Sequence, residues 1–279
     1  GERRRAVFFD NQLQVKNDTA RTPFYGAGSD SLTLPSNWQG GANTSDWGRL
    51  YPLLDNFERK LERNRYGLRF DTALGAGWSL QTAISSEQKD GTADLGGAIY
   101  NDAAGPLAVL LPQPVDQRTT DFDLAFNFAG RAVNLAASYH FTDFTNNKDL
   151  LSWQNPYIAG YGPAVDYPSG RGAIALAPDN RYQRLRLTGN WIVSPTLRLM
   201  LDGSYARAEQ SDDFANYTVN PALDIDQPVP RSDLDAQLST TTLALNVHAR
   251  ATRNLTLEAR YRYADRDNDS PRDGYPYVR

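Results

Sequence analysis

The chain has 279 residues, of which 40% are hydrophobic and 11% aromatic, so it can fold as one large domain or as two ordinary ones. Its formal net charge of −4 lacks the basic excess of nucleic-acid-binding proteins, and we expect no nucleic-acid partner. The absence of cysteine excludes disulfides, thiolate metal sites, a cysteine nucleophile and covalent Cys-x-x-Cys-His haem attachment on this chain.

The sequence contains no apolar segment that could span a membrane as a helix, because such a segment needs a run of about 18 apolar residues. A membrane β-barrel remains compatible with the composition, since its strands alternate apolar and polar residues and keep the average hydropathy low. The chain starts at Gly1 without a methionine or a signal-type apolar stretch, so we expect a processed or partial product.

Alternation of apolar and polar residues predicts nine strands. In the last of them, leucine, alanine and tyrosine occupy the odd positions, whereas Glu258, Arg260 and Arg262 occupy the even ones. In chain order, a leading strand near Ala6 to Lys16 precedes four hairpins, with strands at 65–74 and 78–85, 121–128 and 133–141, 184–191 and 197–205, and 243–250 and 255–263.

The connections alternate between short turns and long segments. Turns of about two to four residues close each hairpin, and segments of about 30 residues or more separate the hairpins, all at one end of the strands. Short periplasmic turns and long external loops are typical of outer-membrane barrels, as are strand runs of about 10 residues. We therefore predict an all-β fold: a transmembrane antiparallel up-and-down β-barrel, or an arc of a larger barrel, as a single region over residues 1–279.

Aromatic residues on the apolar parity stand near the strand ends, as expected for the two girdles at the interfaces of a membrane. The alternative is a set of cross-strand aromatic pairs in a soluble sandwich. The predicted interface aromatics are Tyr66, Trp78, Tyr139, Phe141, Trp191, Tyr205, Tyr261 and Tyr263.

The other parity is predicted to face a polar interior, because charged side chains avoid a cost of a few kcal/mol by pointing away from lipid. The charges along this wall have both signs, which suits recognition of a protein better than selection of one kind of ion. The candidate lumen-facing residues are Arg69, Asp71, Asp121, Asp123, Asn134, His140, Arg184, Arg186, Arg198, Asp202, Asn246, His248, Glu258, Arg260 and Arg262.

Candidates for catalysis or metal binding are few. The stretch "DRDNDSPRDG" at 265–274 has EF-hand-like aspartate spacing, but Ser270 replaces the turn glycine and Pro276 the twelfth-position glutamate. His140 and His248 have no second histidine nearby, and Asp121 and Asp123 lack a partner base. No P-loop, Gly-x-Ser-x-Gly or dinucleotide fingerprint occurs, so we expect no enzyme and no metal site; the acidic stretch is predicted to be a solvated loop, with a loose surface calcium site as the alternative.

The segments between hairpins carry a recurring set of signatures. They are "RTPFYGAGSDSLTLPSNW" (21–38), "LPQPVD" (111–116), "SWQNPY" (152–157), "LAPDN" (176–180) and "PRSDLD" (230–235). In order and spacing this set resembles the MtrB/PioB family, outer-membrane barrels of Gram-negative bacteria associated with decahaem c-type cytochromes.

The resemblance implies a sheath that surrounds a periplasmic decahaem-type c cytochrome, so that electrons cross the outer membrane to or from an external cytochrome or mineral. The haem c would belong to the partner, the barrel would carry no cofactor, and the polar parity would contact the cytochrome. An extracellular cytochrome would meet the loops, and the lipid bilayer would meet the apolar parity.

Three features indicate that the chain is only part of a longer barrel protein. Family members are much longer, and many carry a Cys-x-x-Cys near the mature N-terminus that is missing here. Single-chain bacterial barrels also have an even number of strands as a rule. We therefore expect a fragment, incomplete at both ends, that starts after the first strands and stops in an external loop at Arg279.

Two alternative functions stay open on sequence grounds. One is an outer-membrane porin or solute channel with a polar lumen, whose mark would be an inward-folding constriction loop or a ladder of one charge sign. The other is a soluble β-sandwich or adhesin-like module, which would not need detergent.

Overall fold

The computed structural model of the chain describes residues 4–38, 51–101, 105–156, 171–219 and 229–275. Within these ranges, no helix has the length and apolarity to cross a membrane, and the named helical element is a 3-10 turn at Tyr51–Leu53. The strands are β1 (Arg4–Thr22), β2 (Ser31–Leu32), β3 (Asp55–Gly75), β4 (Trp78–Asn101), β5 (Gly105–Ala129), β6 (Val133–Asn146), β7 (Leu150–Gln154), β8 (Arg171–Ala175), β9 (Asn180–Ser194), β10 (Leu197–Gln210), β11 (Ala236–Thr252) and β12 (Leu255–Asn268).

Nine of these strands form one antiparallel sheet in the order β1-β3-β4-β5-β6-β9-β10-β11-β12. They are the nine strands predicted from the sequence, and each hairpin turn lies where the alternation breaks. The turn between β3 and β4 has positive φ at Gly75, Ala76 and Gly77, which explains its glycines. The predicted all-β antiparallel fold is thus confirmed. β1 and β12 are the sheet edges, and no ladder in the described residues joins them.

Successive hairpins are staggered by a constant amount. One row of cross-strand partners consists of Trp78, Phe128, Leu135, Gly189, Leu201, Leu245 and Tyr261. β4 starts in this row, at Trp78, and β6 starts two residues before its member of the row. β10 and β12 start four and six residues before theirs, at Leu197 and Leu255. A shift of two residues per hairpin tilts the strands by about 35° from the line of turns, which is the tilt of membrane barrels.

One connection expected as a long loop is a continuous pair of strands. The β4–β5 ladder runs without interruption from Trp78↔Phe128 to Asn101↔Gly105. The segment 105–116, predicted as a loop, is therefore part of β5. Above Gln117 the β5–β6 ladder ends and no other described strand pairs with β5 on that side, so the prolines at 112 and 114 occupy an edge where a missing N–H costs no ladder bond.

A second, three-stranded sheet in the order β2-β7-β8 packs on this extension. Trp153 is 3% exposed, and its ring lies against two glycines. A Cβ atom added to Gly172 would stand 2.3 Å from Trp153 Cζ2, and one added to Gly97 would stand 3.2 Å from it. The core between the extension and the small sheet consists of Phe24, Leu32, Leu111, Leu151 and Trp153. The chain between the strands of the large sheet is therefore partly folded here, against the expectation of plain loops.

Candidate functional site

The two faces of the large sheet differ in chemistry along its whole width. Cross-strand registers place every candidate lumen-facing residue on one face, which we call the polar face. The row through Arg69 continues through Ala83, Asp123, His140, Arg184, Ala206, Thr240 and Arg266. The residues that share one parity in the sequence therefore share one face of the sheet. That this face lines a lumen stays a prediction.

The predicted interface aromatics all lie on the opposite, apolar face. Most of its large side chains are uncovered, with Leu187 47%, Tyr205 49% and Tyr261 55% exposed. No second layer of the described residues packs on them, as a soluble sandwich would require. The face therefore has the composition and exposure of a surface that meets lipid.

These aromatics occupy two levels. Trp78 begins β4, and Trp191 pairs with Val133, the first residue of β6. Tyr205 and Tyr263 lie eight residues beyond the first residue of their strands. Eight residues span about 27 Å along a strand, which at a tilt of about 35° is about 22 Å of height, close to the apolar band of about 25 Å that membrane barrels present.

On β3 to β6, the charges of the polar face are paired with each other. Arg69 Nε lies 3.0 Å from Asp71 Oδ2, and Arg65 Nη2 lies 3.6 Å from Asp121 Oδ2. Arg65 also donates a hydrogen bond of 3.1 Å to Ser85 Oγ. Because each carboxylate has a cation close by, this part of the wall is locally neutral.

His140 belongs to a chain of hydrogen bonds on the same part of the wall. Its Nδ1 lies 2.7 Å from Asp123 Oδ1, and its Nε2 lies 3.0 Å from Thr142 Oγ1. Thr142 donates in turn to Asp121 Oδ1 at 2.9 Å. Asp121, Asp123 and His140 are therefore residues of the β5–β6 wall whose side chains bond to each other between the two strands.

On β9 to β12, the two carboxylates of the polar face are also paired. Arg186 Nε donates to Asp202 Oδ2 at 3.0 Å. Glu258 lies 3.3 Å from Arg260 Nη2 and 3.5 Å from His248 Nδ1.

The signature segments assemble the structure beyond the strand ends. The 21–38 segment meets "SWQNPY": Ser31 pairs with Ser152 in the small sheet, and Trp38 Nε1 donates to Pro156 O at 2.8 Å. Tyr157, the last residue of that signature, lies outside the described residues. These two signatures are therefore contact segments between connections that lie more than 100 residues apart in the sequence.

The aspartates of two other signatures cap strand ends. Asp179, in "LAPDN", accepts a hydrogen bond of 2.6 Å from the backbone N–H of Asn146, the last residue of β6. Asp116, in "LPQPVD", accepts one of 3.0 Å from Asn147 Nδ2. The caps satisfy polar groups at the point where the β5–β6 ladder ends.

A charged cluster ties the upper parts of β1, β3 and β4 together. Arg59 is bonded to Asp18 and, at 2.8 Å, to Asp94 Oδ2. The hydrogen bond to Asp94, followed by the charge of Asp18, raises the pKa of Arg59 above its ordinary value. This guanidinium therefore stays charged and links three strands.

The acidic residues of the stretch 265–274 are spread over the end of β12 and the segment that follows it. Asp265 and Asp267 lie on the β12 strand, Asp273 pairs with Arg231 at 2.5 Å, and the N–H of Asp269 donates to Gln237 O. Among the described residues, no group of three or more histidine, aspartate or glutamate side chains is placed to hold a metal ion.

Some polar-face residues were not among the sequence candidates. Arg65, Arg250 and Arg266 share the face, and their parity in the sequence could have revealed them. Met200 is different: it is an apolar residue on the polar face, 54% exposed, opposite Asn190 and Asn246. Its position follows from parity, but hydropathy alone favours the apolar side.

The chain is similar to known proteins over most of its length. The model of a family described as "Putative outer membrane beta-barrel porin, MtrB/PioB" matches residues 1–279. Outer membrane protein MtrB of Shewanella baltica (strain OS185) is 30% identical over 254 residues, which are 91% of this chain and 34% of that protein. The chain thus spans about a third of the length of this relative.

Proposed function

Since this chain belongs to the MtrB/PioB family of outer-membrane β-barrel porins, we propose that it helps to sheathe a periplasmic multihaem c-type cytochrome and so supports electron transfer across the outer membrane. The family and the relative confirm the predicted location in the outer membrane. The partner and the electron transfer are the parts that we propose.

The observation that carries this proposal is the chemistry of the polar face. It is a continuous wall of nine strands whose charges have both signs, with carboxylates held beside arginine or histidine. A channel for one kind of ion needs a ladder of one sign, whereas a protein partner needs a broad surface with many polar contacts.

In this proposal the chain acts as a scaffold and catalyses no reaction of its own. The haem c groups that carry the electrons are bound to the cytochrome, which agrees with the absence of cysteine from these 279 residues. The barrel wall keeps the haem chain away from lipid, and the folded segments beyond the strand ends would meet an extracellular cytochrome.

The test is to solubilise the protein from its native outer membrane in mild detergent and to stain the co-purifying bands for covalent haem. We expect a c-type cytochrome at a fixed ratio to the barrel protein. If no haem protein co-purifies under any mild condition, the sheath proposal is wrong.

The alternative is a solute channel, which the word "porin" in the family description favours. Liposome swelling separates the two functions. A sheath filled by its cytochrome should leave liposomes impermeable to small sugars, whereas a channel should make them swell at a rate that falls with the size of the sugar.

A further inference from the structure

The charges of the polar face are not evenly mixed, because the registers separate them into two halves. From the row of Arg63 down to the turns, the polar face of β3 to β6 carries four cations, Arg63, Arg65, Arg69 and Lys89, against Asp71, Glu87, Asp121 and Asp123, a net charge of 0 with histidine neutral. β9 to β12 carry seven arginines against Asp202 and Glu258, a net charge of +5. The arginines are Arg184, Arg186, Arg198, Arg250, Arg260, Arg262 and Arg266. We call the polar face of β9 to β12 the basic face.

Most arginines of the basic face have no acidic partner among the described residues. Only Arg186 and Arg260 make ion pairs there, with Asp202 and Glu258. The remaining five, Arg184, Arg198, Arg250, Arg262 and Arg266, are all exposed. On β3 to β6, in contrast, each of the four carboxylates has a cation or His140 within 4 Å. The basic face therefore presents positive charge that its own strands do not neutralise, and such a surface attracts an anionic one.

Met200 indicates that the complementary surface is a protein rather than small anions. It lies near the middle of the basic face, with Arg198 and Asp202 on either side along β10, and it is 54% exposed. A polarizable thioether gains little from a water-filled path for small anions. With Asn190 and Asn246 opposite it and the arginines of the basic face further out, it matches the anatomy of a protein interface, in which an apolar centre lies inside a charged rim and methionine and arginine are enriched.

We infer that the basic face is the docking surface for an acidic protein surface, with Met200 as its apolar contact. This inference rests on the proposed function and adds to it: the cytochrome would present its carboxylate-rich side to β9 to β12 and a less charged side to β3 to β6. The nine-stranded sheet would thereby fix the orientation of the cytochrome about the long axis of the sheath.

Charge reversal tests the inference in the complex isolated from outer membranes. The test variant combines Arg184→Glu, Arg198→Glu and Arg262→Glu. The matched control combines Arg131→Glu, Arg253→Glu and Arg272→Glu, which change the same charge at exposed positions outside the strands. A third variant carries Arg184→Lys, Arg198→Lys and Arg262→Lys and keeps the positive charge. The measurement is the salt concentration at which half of the haem protein dissociates from the immobilised barrel.

We expect the test variant to bind the cytochrome about tenfold more weakly and to release it at lower salt, because reversal replaces attraction by repulsion. The control and the lysine variant should release it at the wild-type salt concentration. Met200→Gln should weaken binding without changing the salt dependence. Heat-modifiable migration on gels checks insertion, and Arg262→Glu alone replaces the triple variant if that variant does not insert.

Each outcome separates this inference from the sheath proposal. If the wild type retains the cytochrome and the test variant behaves as the control does, the basic face does not dock it, and the sheath proposal stands. If the lysine variant loses binding as strongly as the glutamate variant, the effect is not one of charge, and the inference is overturned. If the wild type retains no cytochrome, both fail, and a changed anion permeability of the glutamate variant would then assign the basic face to small anions.

Discussion

Neighbouring residues on one strand of this protein meet different surroundings, and Leu187 and Thr188 illustrate this. Leu187 lies on the apolar face, is 47% exposed and pairs with Ala137, four residues above the start of β6. Thr188 lies on the polar face and pairs with Asp202. If the apolar face meets lipid, Leu187 is near the middle of the hydrocarbon.

Leu187→Arg should therefore destabilise the folded protein in lipid vesicles by about 2–4 kcal/mol, the cost of an arginine near the midplane on a lipid-facing site. Thr188→Arg is the control, because the new guanidinium would point away from lipid and reach Asp202. Urea unfolding in vesicles measures both. Equal effects of the two substitutions would argue that the two faces share one medium.

At this scale, parity predicts the structure well. The alternation places the candidate residues of both lists on the faces where the registers have them, since a strand has a side-chain period of two. Parity alone does not show which charges pair. Asp123 meets His140 and Asp121 meets Thr142 only because β5 and β6 are in one particular register, which the turn and the packing set together.

Among the elements, the small sheet that packs on the β4–β5 extension contains one very close contact between β7 and β8. Trp153 lies against Gly172, whose added Cβ would stand 2.3 Å from Trp153 Cζ2. Gly96, on β4, has nothing within 4 Å of an added Cβ. The two glycines thus give a matched pair in the same assembly.

Gly172→Ala should loosen the small sheet, because the tryptophan ring must shift, and overpacking of this kind costs about 1–3 kcal/mol. The measurement is the rate of external proteolysis of the 147–179 segment, with Trp fluorescence as a second signal. Gly96→Ala should leave both unchanged. A proteolysis rate for Gly172→Ala equal to that of the wild type would mean that this packing does not hold the segment.

The elements beyond the strand ends were the least predictable part. The prolines of "GPLAVLLPQPVD" favour a loop, yet Pro112 and Pro114 lie in β5, because a single-sided ladder tolerates a missing N–H. The short strands β2, β7 and β8 lack a clear alternation over enough residues. They form because segments more than 100 residues apart in sequence bring Leu32 and Trp153 together, and a local pattern cannot show that.

For the whole molecule, the constant stagger of two residues per hairpin makes a prediction about orientation. If the turns lie along one membrane surface, the strands tilt by about 35° from the bilayer normal. Polarised infrared spectroscopy of the protein in oriented bilayers measures this angle. Strands close to parallel or perpendicular to the normal would be incompatible with the registers.

The central claim is that the odd and even residues of one strand occupy different media, lipid on the apolar face and a polar interior on the other. The most direct measurement is a scan of single cysteines along residues 197–206 of β10, since these 279 residues contain no native cysteine. Each cysteine carries an environment-sensitive fluorophore, and the protein is placed in vesicles with brominated lipid or with aqueous iodide outside and inside. The account predicts that odd positions are quenched by brominated lipid and even positions by iodide, with the even positions protected when a partner fills the interior. Lipid quenching of the even positions, or no alternation at all, would contradict it.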